Sequence, residues 1–338
     1  MIAREKAYKD IEETKRIDVQ YFADRFSDRW DTFVWNANNG SLFHTRRFLN
    51  YHPKYRFQDV SLVFSKGNKW LALLPAAVEK TGSLKSLVSH PGTSFAGFVL
   101  NDNHSIRDVF RMIKAFVQFA HKHEFAKIIL TIPPQIYYSR PSNYLEFALL
   151  EAGFVYQKRE VSSVIPLDFS EEDILTIFSP ESSRAVRKAI RCGVQVHENE
   201  DLGPFYGLLE KNLKLRHNVQ PTHTLAELQH LKRIFPDRIR LFEATLGEKT
   251  IAGIVLFICN AKVALAFYVS HDERMQEYRA VNFLFYHVIR WAIWQRLKFL
   301  DFGIFTVNMK PNWGLARFKE SFGAQGIFRD TLVKEIET

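Results

Sequence analysis

The same succession of hydrophobic patterns occurs twice along this chain, and this repeat is the feature that most limits how the chain can fold. In each half, alternating apolar segments around a glycine turn, at Gly67 and at Gly247, precede a long helical pattern and an apolar strand pattern. A short helical pattern then ends before Gly153 or Gly323, and a closing strand or hairpin pattern follows. This order is typical of a mixed sheet flanked by helices, an α/β (α+β) architecture. The repeat predicts two such domains in tandem.

The length of 338 residues fits two domains of ordinary size. We predict an N-terminal extension over residues 1–24, a first domain over residues 25–166 and a second domain over residues 167–338. The boundary is placed where the closing pattern of the first half gives way to the next helical pattern, near residues 166–179.

The chain has neither a leader pattern nor an apolar stretch suited to a membrane span. Its first eighteen residues are charged throughout, and no apolar run reaches the roughly 18–20 residues that a spanning helix requires. Cys192 and Cys259 are the two cysteines, too few for a disulfide framework in a chain of this length. These features predict a cytoplasmic protein without a transmembrane segment. The formal net charge of +9 favours polyanionic partners such as nucleotides, coenzyme phosphates, RNA or an anionic lipid surface.

A cationic helix is predicted between Ser179 and Gly193. Ser179 suits the N-cap, Pro180 suits the first helical position, and Gly193 suits the residue after the last turn. Like charges four residues apart repel by roughly 0.2–0.5 kcal/mol per pair, and a bound anion would offset that cost. The helix is therefore predicted to bind a phosphorylated ligand, and a merely solvated face is the alternative. Four basic residues at helical spacing form this cationic stripe: Arg184, Arg187, Lys188 and Arg191.

Several segments resemble motifs of GNAT-type acetyltransferases in tandem, as in the FemABX peptidyltransferases and the FemAB-like acetyltransferases. Residues 38–45 resemble an early G-[ST]-hydrophobic-F-x-[ST] segment, and residues 87–97 resemble a small-residue loop that shapes the first domain's cleft. Residues 183–196 are similar to S-x-x-R-x-x-x-[RK]-x-x-x-x-G-V-x-V, which opens the second domain. Residues 301–303 and 318–323 resemble the closing D-F-G … F-K-x-x-[FW]-G signature. The resemblance implies two GNAT-like domains, the first with an acceptor-side cleft and the second with the donor and catalytic side.

The resemblance also implies an N-acyltransferase and points to three catalytic candidates. By its place in the closing motif, Lys319 is expected to stabilise an oxyanion or to hold a carrier phosphate. Asp301, at the end of an apolar strand, is a candidate to orient an amine or act as a base, and Tyr268 is a candidate general acid. The structural alternatives are a surface lysine on an amphipathic helix, an aspartate that caps a turn and a half-buried strand tyrosine.

The donor site departs from the usual GNAT pattern, which has [QR]-x-x-G-x-[GA] at the turn into the long helix. The matching residues 276–282 carry Arg279 and Val281 in the glycine positions. The donor therefore stays open between acetyl-CoA and aminoacyl-tRNA, the carrier that FemABX proteins use. Arg279 and Asn282 are predicted to bind the carrier together with the cationic stripe.

The first domain is expected to receive the acceptor through His44, Arg46 and Arg47, although the two arginines also fit a surface pair at a helix start. The acceptor is expected to be an amine of a sugar-nucleotide, peptide or lipid-linked precursor of the cell envelope. No metal site is predicted, because the histidines lack zinc-site spacing. Two other classes stay open. One is a non-catalytic nucleotide- or RNA-binding protein on a degenerate acyltransferase scaffold. The other, a membrane-surface adaptor using the stripe, lacks an adjoining bulky apolar face in the sequence.

Overall fold

A computed structural model describes residues 16–217 and 219–336 of the chain. The chain divides into two compact units. The first unit contains the described residues up to Arg159 and those from Arg329 onward, and the second unit is Glu160–Phe328. No helix among the described residues is long and apolar enough to cross a bilayer.

The elements follow the chain in the order predicted for a repeat. The helices are α1 (Ser27–Trp35), α2 (Arg46–Leu49), α3 (Ile106–Lys122), α4 (Tyr144–Glu151), α5 (Ile174–Ile177), α6 (Pro180–Arg191), α7 (Gly203–His217), α8 (Leu225–Ile234), α9 (Ala280–Trp294) and α10 (Trp313–Glu320). The strands up to residue 199 are β1 (Asp18–Tyr21), β2 (Gln58–Asp59), β3 (Leu62–Lys66), β4 (Lys69–Leu74), β5 (Ala76–Thr81), β6 (Leu84–Ser89), β7 (Val99–Leu100), β8 (Lys127–Thr131), β9 (Val155–Pro166) and β10 (Gln195–Asn199). The later strands are β11 (Ile239–Leu246), β12 (Lys249–Ile258), β13 (Val263–His271), β14 (Phe299–Ile304), β15 (Thr306–Val307), β16 (Lys310–Pro311) and β17 (Gln325–Glu335).

The first unit contains two sheets. Strands β1, β3, β4 and β7 form an antiparallel sheet in that order. In the second sheet, β5 pairs antiparallel with β2 and β6, while β6 pairs parallel with β8. Residues 331–335 of β17 complete this sheet by pairing antiparallel with β8. Ser105 caps the N-terminus of helix α3, where its hydroxyl accepts a hydrogen bond from the backbone N–H of Asp108. The apolar face of α3 joins the core.

The second unit contains one large sheet with the strand order β10-β11-β12-β13-β14-β9. All neighbours in it are antiparallel except β13 and β14, which are parallel and are connected through α9. Helices α6 and α9 pack against each other, and their apolar residues share one core with the sheet. The small hairpin β15–β16 follows β14 directly.

The predicted tandem of mixed sheets with flanking helices is confirmed, since both units place a parallel strand pair on either side of a long helix. The hairpins at Gly67 and Gly247 also form as predicted. The division of the chain differs from the predicted bounds, because it falls at Arg159/Glu160 and assigns residues from Arg329 onward to the first unit. Of the predicted extension, residues 1–15 lie outside the described residues, while β1 pairs with β3.

Candidate functional site

The central feature of the second unit is the point at which β13 and β14 separate. Their parallel pairing covers three residue pairs and ends at Leu265 and Asp301. Both strands are irregular there: β13 shifts register against β12 between Val255 and Leu256, and β14 shifts against β9 after Asp301. Bulges of this kind redirect strands near functional sites. Beyond Leu265, β13 forms no further residue pair with β14 among the described residues.

Helix α6 forms one wall beside this splay, and its local sequence explains its position. The Ser179 hydroxyl accepts from the N–H of Ser182, Pro180 occupies the first turn, and Gly193 ends the helix with φ of +77°. Val186 and Ala189 are buried in the core. The opposite, basic face is consequently exposed, as the periodicity predicted.

The N-terminus of α9 forms a second wall. Arg279 immediately precedes the helix with φ of +56° and ψ of +29°, the left-handed conformation that glycine usually supplies. The turn into the helix thus keeps a glycine-like backbone path while carrying a guanidinium group. The first N–H groups of the helix lack partners within it and carry partial positive charge. Asn282 lies in the first turn and donates from Nδ2 to the Ser182 hydroxyl over 3.3 Å.

A cavity of about 1310 Å³ lies between α6, the N-terminus of α9, the end of β13 and α10, wholly within the second unit. Five basic side chains line it: Arg184, Lys188, Arg191, Arg279 and Arg317. Arg184 pairs with Glu181 over 3.1 Å, whereas the other four form no ion pair with any residue that the structure describes. Cations without ion-pair partners, together with the free N–H groups of a helix N-terminus in the same cavity, favour phosphate groups. The cavity therefore suits a ligand with several phosphates.

Four further polar residues of this cavity were not predicted from the sequence: Ser182, Ser321, His271 and Arg317. Ser182 donates to the Ser321 hydroxyl over 2.8 Å, and His271, at the end of β13, also lines the cavity. Arg317 precedes Lys319 by two residues, so the closing motif pointed to its helix but not to this side chain. The hydroxyl pair and His271 had no local pattern that could have revealed them, because they meet from elements far apart in sequence.

Three of the four stripe residues line the cavity, and Arg187 does not. Arg187 is exposed on the same helix, at the margin of the basic arc. Arg279 and Asn282 line the cavity as well. The structure thus brings together five of the six predicted carrier-binding residues.

Lys319 and Asp301 do not line the cavity; both hold the irregular segment of β14. The Lys319 ammonium, in a residue 6% exposed, donates to the carbonyl oxygens of Gly303 at 2.7 Å and Ile304 at 2.9 Å. The fully buried Asp301 carboxylate accepts from the Gly303 N–H at 2.7 Å and from the Ser162 hydroxyl at 2.5 Å. Gly303 itself has φ of +73°. The two predicted catalytic residues therefore stabilise one bulge, and their direct catalytic roles stay predictions.

Tyr268 also lies outside the residues that line the cavity, and it contacts His223 instead. Its hydroxyl accepts from the His223 N–H at 3.1 Å and lies 2.8 Å from Nδ1 of the same residue. Burial raises the pKa of Tyr268 to about 12. A neutral phenol in this position links β13 to the segment before α8, and its role as a general acid stays a prediction.

The predicted acceptor residues of the first unit have mostly internal partners. The fully buried His44 lies with Nε2 2.5 Å from the Ala96 carbonyl oxygen and accepts at Nδ1 from the Ser41 N–H. Burial lowers the pKa of His44 to about 4. The Arg46 guanidinium is buried and bonds to Asp59 at 2.6 Å. Arg47 is exposed, whereas His44 and Arg46 are buried. The role of these three residues in acceptor binding stays a prediction.

Among the described residues, no three histidine, cysteine, aspartate or glutamate side chains gather in a group that could hold a metal ion. The polar side chains that line the cavity are basic, amide and hydroxyl groups, apart from Glu181, Glu320 and His271. Apolar side chains line it as well, among them Ile251, Val269, Met275, Val281, Leu315 and Phe318.

Comparisons with known proteins agree with this geometry. Residues 181–320 match the family model of the acetyltransferase (GNAT) domain, in agreement with the predicted N-acyltransferase class. The fold is similar to that of FemX, with a TM-score of 0.71 at 12% identity over 94% of this chain and 97% of that one. A tandem GNAT protein from the clavulanic acid biosynthesis pathway has a TM-score of 0.56 at 12% identity, covering 96% and 99% of the two chains.

A third solved structure is the C-terminal domain of a putative lysylphosphatidylglycerol synthetase from Agrobacterium fabrum. Its TM-score is 0.57 at 12% identity, with 91% of each chain covered. No curated protein matches the sequence. These likenesses confirm the tandem GNAT fold that the sequence motifs predicted.

Proposed function

We propose that the protein is an N-acyltransferase whose second unit binds a phosphorylated acyl carrier in the cavity between α6, α9 and α10. The observation that carries the proposal is a single cavity beside the separating strands β13 and β14, lined by the N-terminus of α9 and by four cations that have no ion-pair partner among the described residues. This arrangement supplies charge for the carrier's phosphates and, for its arm, a segment of β13 beyond the pairing with β14. The match of residues 181–320 to an acetyltransferase domain supports the same reaction class.

The carrier is acetyl-CoA or an aminoacyl-tRNA. The left-handed backbone at Arg279 supports binding of a diphosphate at the α9 N-terminus, because the chain keeps the turn that a glycine would give. The additional guanidinium groups of Arg279 and Arg317 suit a carrier with more phosphates than a diphosphate. The cavity thus accommodates the charge of either carrier, and binding experiments decide between them.

The acceptor is an amine of a sugar-nucleotide or of another cell-envelope precursor, and the reaction is placed in the cytoplasm. The resemblance of residues 38–45 and 318–323 to FemABX motifs supports an acceptor of this kind, and the fold is similar to that of FemX and of a putative lysylphosphatidylglycerol synthetase. The amine nitrogen attacks the acyl carbonyl, the bond from the carbonyl to the carrier's sulfur or oxygen breaks, and the amine proton leaves to solvent or to the departing group.

The chain's own residues would act on this reaction through position and charge. Arg184, Lys188, Arg191 and Arg279 hold the phosphates, while Lys319 and Asp301 keep the β14 bulge rigid at the splay. A strand edge fixed in this way orients the acyl carbonyl before the amine arrives. His271 lies in the cavity wall at the end of β13, next to the path of the carrier.

The decisive experiment measures binding and transfer with acetyl-CoA and with aminoacyl-tRNA, using the wild type and two charge reversals on one helix. Arg191→Glu removes a cavity cation, and we expect it to weaken carrier binding by at least about tenfold. Arg187→Glu, the matched control, changes the same charge outside the cavity and should change affinity less than about twofold at physiological salt. Equal losses in both variants, or no binding of either carrier, would contradict the proposal.

The same assay separates the main alternative, a non-catalytic nucleotide- or RNA-binding protein. Such a protein would bind a carrier with the same dependence on Arg191 but would transfer no acyl group to any amine offered. Product formation by mass spectrometry therefore decides between the two, since binding alone supports both.

A further inference from the structure

The hairpin β15–β16 and the start of α10 present an unusually exposed apolar segment. Every residue from 307 to 315 is exposed, and four of them are large and apolar: Val307 is 67% exposed, Met309 58%, Trp313 74% and Leu315 36%. We call residues 307–315 the apolar lip. Exposed bulky side chains clustered within nine residues mark an interaction surface more often than isolated ones do.

The backbone of the lip is fixed in a way that presents these side chains. Asn308 and Met309 both have positive φ, +50° and +60°, as in the tight two-residue turn of a β-hairpin. The N–H of Asn312 donates to the carbonyl of Phe305 over 2.9 Å and closes the loop. Methionine rarely adopts this left-handed conformation, so the turn holds strain while it places an apolar side chain at its tip.

The charge around the lip selects its partner. Residues 302–319 contain no aspartate or glutamate, and their exposed charged residues are Lys310 and Arg317, with the exposed Glu320 following directly. Leu315 and Arg317 line the same cavity as the cationic stripe, so the lip borders a basic surface. Apolar and aromatic side chains bordered by cations fit the interface of a bilayer that contains anionic lipids.

We propose that the apolar lip inserts into the headgroup region of an anionic membrane, so that the cavity opens next to the lipid surface. This goes beyond the transferase activity and does not depend on it. Trp313 and Met309 would bury their side chains at the boundary with the acyl chains, while the exposed Lys310 contacts the lipid phosphates. Membrane binding requires an apolar surface beside the cations, which the cationic stripe does not have on its own helix. The apolar lip, in the same unit, provides that surface.

Vesicle binding tests the proposal. The full chain is mixed with vesicles of phosphatidylcholine, either alone or with about one third phosphatidylglycerol. We expect binding to the anionic vesicles, an approximately tenfold weaker partition for the Met309→Ala/Trp313→Ala double variant, and no such loss for Trp294→Ala. Trp294, at the end of α9, is a matched control because it is 57% exposed but lies outside the lip.

A second measurement uses brominated lipids, which quench tryptophan that enters the bilayer. Quenching should occur in the wild type and in Trp294→Ala and should be lost in Trp313→Ala. Three results would overturn the proposal: no binding to anionic vesicles, equal losses in the lip and control variants, or binding that high salt abolishes and lip substitutions leave unchanged. Acyl transfer in free solution is measured separately, so a failure here leaves the proposed function untouched.

Discussion

Among the described residues, each unit contains one parallel strand pair beside a long helix, but only the pair of the second unit lies next to a large cavity. In the second unit, β13 and β14 separate after Leu265 and a large cavity lies beside the splay. In the first unit, the loop after β6 returns to β8, since the N–H of Ala96 donates to the Thr131 carbonyl over 3.1 Å. Phe95 fills the space there, with its ring centroid 5.2 Å from that of Phe43 and 4.6 Å from that of Tyr137.

The difference shows how one architecture serves either as a scaffold or as a binding site. In the first unit, His44 and the Arg46 guanidinium hydrogen-bond within the fold, whereas in the second unit Lys188, Arg191, Arg279 and Arg317 have no ion-pair partners among the described residues. Hydrogen bonds between buried polar groups stabilise the fold, whereas cationic side chains without partners at a cavity attract an anionic ligand.

The largest effect on stability is expected from removing the Phe95 side chain, which packs beside the parallel strand pair of the first unit. Phe95→Ala should lower the free energy of unfolding by about 3–5 kcal/mol, because it creates a cavity among buried aromatic side chains. Val269→Ala, in the wall of the open cavity and 38% exposed, should cost less than about 1 kcal/mol. Urea unfolding measures both, and hydrogen exchange assigns the loss to a unit. Equal costs would show that the two splays are packed alike.

Substitution of one arginine in each unit should have different effects: the first should lower stability and the second should weaken carrier binding. Arg46→Met is expected to destabilise the protein by about 3 kcal/mol, since it leaves Asp59 and Ser61 without their buried partner. Arg191→Met should change stability by less than about 0.5 kcal/mol and weaken carrier binding. Denaturation curves and titrations of the same two variants check this. Loss of binding by a stable Arg46 variant would contradict the internal role assigned to Arg46.

Acidification should weaken the first unit through His44. Burial holds the pKa of His44 at about 4, below its ordinary value of 6.5, so between these values the unfolded chain binds a proton that the folded chain does not. Stability is therefore fully present above pH 6.5 and is lost as the pH falls toward 4, by about 2 kcal/mol at pH 5. Unfolding at pH 7 and pH 5 measures the loss, which should be smaller in His44→Gln.

Asp301→Asn tests whether the bulge or a proton transfer matters in the second unit. An asparagine oxygen can still accept from the Gly303 N–H, so a positioning role predicts a rate loss below about fivefold and a stability loss of about 1 kcal/mol. A general base would lose about a hundredfold or more. The pH dependence of the rate provides a second readout, because a positioning residue leaves its shape unchanged.

The smallest effect on stability is expected at Arg279. In Arg279→Gly, relief of the left-handed strain offsets the larger entropy of the unfolded chain, so stability should change by less than about 0.5 kcal/mol. Carrier affinity should nevertheless fall about tenfold, since a cavity cation is lost. Isothermal titration measures this. An unchanged affinity would show that the backbone turn alone holds the carrier.

What the sequence could predict depended on the range of the interactions involved. Helix α6, its caps and its basic face rest on residues within a few turns of each other, and they form as predicted. The pairing of residues 331–335 with β8 joins segments about two hundred residues apart, and no local pattern encodes it. Motif position identified Lys319 and Asp301, but burial and hydrogen bonding, which set their contacts to Gly303, arise only in the folded unit.

The strand that completes the first unit has a consequence for biosynthesis. Residues 331–335 leave the ribosome after the whole of the second unit, yet β8 requires them as its antiparallel neighbour. The first unit therefore cannot complete its sheet until the second unit has been translated, and until then the β8 edge has no antiparallel neighbour. During that interval the nascent chain offers a ready template for wrong pairing, which a chaperone or rapid translation would limit.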